Sequence, residues 1–235
     1  MTSKNKVFNL ICSNIKDPRL GILLEIHYKE DLWGSAIPDL ENLIAEGKLD
    51  EYENKTAKIF LCRDYSLKYR HNDCLEIINS IKDILNGLSE SNQNHSALMG
   101  FAYHTFAISL GYMGKKNDAR YNKYYLMAEK IYDRLEANSD KADLIIQSID
   151  LEYYYNEAHG IPGLLKKYKT IPKELVGEKD ISFRLGVMSL MGFLKGGGND
   201  LLEKSITYLK MQLDDSDMNH YKNFWAACAL MVAYK

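Results

Sequence analysis

Residues Tyr103 to Ile131 read YHTFAISLGYMGKKNDARYNKYYLMAEKI. Phe106 and Ala107 stand there as a large–small pair, Leu110 follows within a turn, and Gly114 opens a polar corner ending in Lys116-Asn117-Asp118-Ala119. Beyond the corner, Tyr124, Ala128, Ile131 and Leu135 recur at the i, i+4, i+7, i+11 spacing of one buried helical face. An Asn or Asp at such a corner accepts a backbone N–H bond from the start of the following helix. The stretch therefore predicts a helix, a tight polar turn and a second helix.

Outward from this stretch the corner recurs. His71-Asn72-Asp73-Cys74 precedes it and Gly198-Asn199-Asp200-Leu201 follows, with 45 residues from Asn72 to Asn117 and 82 from Asn117 to Asn199. The second interval is twice about 41, so a degenerate copy is expected between them. Asn156-Glu-Ala-His-Gly160 stands there. A similar step back from Asn72 reaches Lys29-Glu-Asp31, just before Leu32-Trp33.

Ten positions ahead of the three clear Asn residues lie Cys62, Ala107 and Ser189, all small enough to let paired helices approach closely. Further stripes run through Cys74/Ile78/Ile81/Leu85 and Leu202/Ile206/Leu209/Leu213, and Ala36/Leu40/Leu43 begins another. Polar breaks are expected at Leu88–His95, Asn138–Asp140, Gly177–Asp180 and Asp214–Asp217, the last ahead of a helix carrying Phe224, Trp225, Leu230 and Met231. Pro162 suits the first turn of a helix and Pro172 its end. No low-complexity linker interrupts the chain, so residues 1–235 are expected to form one repeat domain.

Composition agrees with an all-α reading. Only 4 Val and 5 Thr stand against 30 Leu, and 4 Pro are too few to punctuate many short strands. With 30 basic and 32 acidic residues the net charge is −2, which argues against a nucleic-acid binder needing a strongly basic face. The basic groups Lys115-Lys116-Arg120-Lys123 and Lys166-Lys167-Lys169-Lys173 are expected on solvated faces. The 17 tyrosines, clustered at Tyr121/Tyr124/Tyr125 and Tyr153/Tyr154/Tyr155, are expected chiefly to pack between helices. No apolar run is long enough to span a bilayer, and Val7 to Cys12 is too short for a secretory signal. A cytoplasmic location is expected.

Chemistry-bearing patterns are sparse. The four cysteines form no CxxC pair and are expected to be reduced, with no metal among them. No HExxH or GxSxG motif occurs, and Glu152, Glu157 and His159 are expected as solvated residues rather than a metal set. Gly196-Gly197-Gly198 has no strand before it and no Gly-Lys-Ser/Thr after it, so it is expected as a hairpin turn rather than a phosphate cradle. These features give no warrant for an enzyme or a cofactor.

The Tyr103 to Ile131 stretch, with Phe106, Ala107, Leu110, Gly114, Ala119 and Ala128, resembles the tetratricopeptide-repeat superfamily. That resemblance implies an array of about five to six antiparallel helix hairpins in a curved right-handed solenoid, whose first helices line a concave binding face. Carried over by position, the groove residues are Arg63, His104, Tyr112, Asp150 and Tyr154. The implied function is a non-enzymatic scaffold or adaptor for a protein or peptide partner, and self-association into a homo-oligomer is compatible with it. An alternative comes from Met191 to Lys210, MGFLKGGGNDLLEKSITYLK, which resembles a repeat of bacterial peptide-pheromone receptors. No DNA-binding helix-turn-helix is recognised ahead of the repeats.

Overall fold

The computed structural model describes residues 6–27, 35–155, 178–213 and 220–234. Among these residues every regular element is an α-helix and no strand occurs, as the composition predicts. None of these helices is long and apolar enough to cross a membrane. The chain divides into two compact units, residues 1–144 and 145–235. The first holds α1 (Lys6–Cys12), α2 (Pro18–His27), α3 (Ile37–Ala45), α4 (Glu51–Leu67), α5 (His71–Asn79), α6 (Ile81–Leu85), α7 (Gln93–Tyr112) and α8 (Ala119–Arg134). Helix α9 (Asn138–Tyr155) carries the division inside it. The second unit continues with α10 (Glu178–Leu194), α11 (Asn199–Leu213) and α12 (His220–Ala233).

Helix α7 is the axis of the first unit. It packs against α1, α4 and α8, and every residue from Ser96 to Gly111 is buried. Phe60 of α4 lies 4.7 Å from Phe101 of α7, ring centre to ring centre, and Phe8 of α1 meets Phe60 edge-on at 6.4 Å. Against α8 the approach is closer. A Cβ on Gly100 would stand 2.9 Å from both Ile131 and the Tyr132 ring, so glycine is required for the two helices to meet there. Contacts from Gly100 to Tyr132 and from Phe106 to Tyr124 run in opposite senses along the two chains, which makes α7 and α8 an antiparallel hairpin.

The corner between them is built as its residues suggest. Gly114 takes φ +69°, and the N–H groups of Gly114 and Lys115 bond back to the carbonyls of Gly111 and Leu110, closing α7 with a Schellman motif. Asp118 then caps α8 by accepting from the Arg120 N–H at 2.9 Å. The side chains of Tyr124, Ala128, Ile131 and Leu135 are all buried, as their spacing requires.

Two other corners, ahead of α5 and α11, fall at the expected places with different chemistry. Helix α5 begins at His71 with Arg70 as its cap residue and no side-chain cap bond, so Asn72 and Asp73 lie inside its first turn. Asp73 pairs instead with Arg70 at 2.6 Å. Asn199 and Asp200 likewise open α11 from within, and Asp200 pairs with Lys204 at 2.9 Å. The corners expected at 29–31 and 156–160, with Pro162, Pro172 and the 166–173 lysines, lie outside the described residues, as does the break at 214–217. Residues 178–180, expected in a break, are helical instead.

Three packing expectations need correction. Ala119, which the repeat resemblance implies packs at the corner as a small residue like Ala107, is exposed, because the Asp118 cap turns the first residue of α8 toward solvent. The Cys74 stripe is interrupted at Ser80, where α5 stops and α6 restarts, so Ile84 is buried in place of Ile81 and Leu85. In α11 the fully buried positions are Ser205 and Leu209, while Leu202 and Ile206 are half-buried and Leu213 is exposed. The small positions Cys62, Ala107 and Ser189 are all completely buried, as the sequence predicts.

In the second unit, α11 packs on α10 and α12, and Leu209, Ala226 and Leu230 form its core with Phe183, Val187 and Ile206 against them. Gly186 of α10 sits over Leu209, where a Cβ would lie 2.7 Å from Leu209 Cγ. Gly196, at φ +92°, ends α10 with the same Schellman bonds, so the glycine triplet is a hairpin turn.

Candidate partner-binding surface

The five groove residues fare differently in the fold. Arg63 follows buried Cys62 on α4 and is half-buried. Tyr112 is the last residue of α7 and is also half-buried. Asp150 and Tyr154 lie on α9, with side chains outside those described. His104 is corrected most: it is only 5% exposed and lies within the α7–α8 packing. Its Nδ1 is 3.0 Å from the Tyr132 hydroxyl, and its ring meets Phe101 and Tyr132 edge-on. An outward side chain has no room there, because three helices surround α7. The signal was present in the sequence, since Ser96 to Gly111 contains no Asp, Glu, Lys or Arg, the mark of a helix buried on every side.

Helices α4 and α7 stand side by side and run parallel. At one end the Tyr52 hydroxyl donates to the Asn94 carbonyl at 3.3 Å, and the Tyr52 and His95 rings stack at 5.6 Å. Further along, Phe60 meets Phe101, and Ser109 hydrogen-bonds the Cys62 side chain. The first helices of two successive hairpins thus lie next to each other with the same polarity.

A cleft of about 330 Å³ opens where α4 and α7 begin, a feature the sequence reading missed. Its signal was the Asp50-x-x-Glu53 pattern of a capping box. Asp50 accepts from the Glu53 N–H at 2.9 Å, and Glu53 accepts from the Asp50 N–H at 3.1 Å. Buried Glu53 also accepts from the Lys16 and Asp17 N–H groups at 2.6 and 2.7 Å, fixing the α1–α2 connection on the head of α4.

The cleft's charges are balanced: Lys16 pairs with Asp50 at 2.9 Å and Lys55 with Glu51 at 2.6 Å. The Lys55 ammonium also donates to the Asn86 carbonyl. The N–H of Glu53, together with Lys16, holds the Asp50 carboxyl below its usual range, and burial pushes the Tyr52 hydroxyl up. Such a site offers hydrogen bonds of both signs without a net charge, which suits neutral polar groups such as peptide amides. Among the described residues, no three of His, Cys, Asp and Glu group to hold a metal ion. No family model, curated protein or solved structure matches the chain.

Proposed function

We propose that the chain is a non-catalytic scaffold that binds a peptide or a partner protein along the face lined by the first helices of its hairpins. The hairpins would belong to a curved right-handed array. The observation that carries this reading is the cleft where the parallel helices α4 and α7 begin, because its paired charges offer hydrogen-bond donors and acceptors to the amides of an extended ligand. Half-buried Arg63 and Tyr112 on those two helices supply a fork of donors and an aromatic face.

The test is capture of the partner from the native host, identified by mass spectrometry, followed by titration against variants. Arg63→Glu should weaken binding tenfold or more, on the order of 1.4 kcal/mol, and Tyr112→Ala should weaken it less. Unchanged affinity in both would place recognition elsewhere. A short peptide as the captured species would favour the pheromone-sensor reading of Met191 to Lys210, whereas a folded protein would favour the adaptor.

A further inference from the structure

Cys62 of α4 and Cys74 of α5 are both completely buried, and their sulfurs stand 3.4 Å apart. They are twelve residues apart in sequence, on opposite arms of one hairpin, so the CxxC patterns that mark redox pairs do not reveal them. We propose that Cys62 and Cys74 are a redox-modification site, a dithiol that a peroxide-class oxidant closes into a disulfide joining α4 to α5. This inference does not depend on the scaffold reading.

Three features support it. The sulfurs need to close by only about 1.4 Å to reach bonding distance, and side-chain rotation in one hairpin can supply that. The two thiols also differ. Burial pushes the Cys62 thiol up, while the hydrogen bond from Cys62 holds Cys74 below the ordinary thiol range, and the Ser109 hydroxyl of α7 lies within hydrogen-bond reach of either sulfur. Cys74 is therefore the more acidic of the two thiols and is assigned the first attack on the oxidant. Finally, α5 is a nine-residue helix that packs on α4 and α6 and buries just Cys74 and Ile78. A helix held by so little apolar surface opens locally at small cost, giving a small oxidant access to Cys74.

The chemistry balances with hydrogen peroxide. The Cys74 thiolate attacks one peroxide oxygen, the O–O bond breaks, and hydroxide leaves as water after protonation. Cys74 is then a sulfenic acid. The Cys62 sulfur attacks the Cys74 sulfur, the S–O bond breaks, and the hydroxyl leaves as a second water with the Cys62 proton. Two thiols lose two electrons and peroxide gains them.

The experiment treats the native full chain with hydrogen peroxide and follows intact mass, free-thiol count and non-reduced peptide maps. The expected result is a loss of about 2 Da, reversed by dithiothreitol. Free thiols should fall from the four of the sequence to two, with a peptide linking Cys62 to Cys74. The oxidised chain should melt roughly 5 °C higher, because the cross-link restricts the unfolded state. In Cys62→Ser, dimedone should trap the Cys74 sulfenic acid instead. The proposal is overturned if all four thiols survive, if the bridge involves Cys12 or Cys228, or if the Cys62–Cys74 link forms only in urea.

Discussion

The α7–α8 and α10–α11 hairpins use the same local devices and end in different surroundings. In each, a first-helix glycine lets a large second-helix side chain come close: Gly100 against Tyr132 and Gly186 against Leu209. Each first helix ends on a left-handed glycine, Gly114 or Gly196. Yet α7 is buried on all sides, whereas α10 leaves Met191 and Leu194 exposed and α11 leaves Met211 and Leu213 exposed. A hairpin's turn and helix pairing are set by residues within about 40 positions, but the burial of its outer faces is set by whichever other helices reach it. In the first unit α1 and α4 close over α7, while in the second α12 is the helix that joins the α10–α11 pair.

The sharpest way to break this comparison is to empty the two glycine-facing positions. Tyr132 is almost completely buried, so Tyr132→Ala should cost roughly 3–5 kcal/mol by chemical denaturation. Leu209→Ala, in the thinner core, should cost about 2 kcal/mol. Equal losses would mean that the second hairpin is as enclosed as the first.

A pH titration probes the extra helix over α7. The Val7 N–H at the start of α1 donates to Asp140 at 3.3 Å. Burial, with the Asp143 charge adding to it, pushes the Asp140 carboxyl up to about 7. Between its ordinary value near 3.8 and about 7, the folded chain keeps a proton that the unfolded chain has lost. Stability from this group is therefore greatest at low pH, falls as pH rises across that window, and levels off above it. Asp140→Asn keeps an acceptor for Val7 and should flatten this part of the thermal-melt profile between pH 5 and 8. An unchanged slope would remove Asp140 from the account of how α1 is held.

The smallest effects separate two alanines of one hairpin. Ala107→Leu should cost roughly 1–3 kcal/mol because α7 has no space beside it. Ala119→Leu, on an exposed first turn, should change stability by less than about 0.5 kcal/mol. A large loss at Ala119 would restore the tighter corner that the repeat resemblance implies.

Much of the helical layout was legible, and what was missed has identifiable causes. The corner spacing located α5, α8 and α11, and the small residues marked the buried sides of α4, α7 and α10. Counting one residue round from inward-facing Cys62 puts Arg63 at a half-buried position. His104 could not be placed by the same rule, which assumes one open face on each first helix and fails where three helices surround α7. The polar cleft was hidden because it joins Lys16, Asp50 and His95 from separate elements.

The helical class, the corners ahead of α5, α8 and α11, the Gly114 and Gly196 turns and the inward stripe of α8 follow from the sequence alone. All of these depend on hydrogen bonds and side-chain periodicity within one or two turns of chain. Tertiary packing set the enclosure of α7 and the meeting of Cys62 with Cys74. It also placed the division into two units inside α9, where no linker composition announces it. The physical reason is range. Turn and cap energies are local, whereas burial and thiol proximity depend on which distant helices share a volume, and a pattern read along one chain does not contain that information.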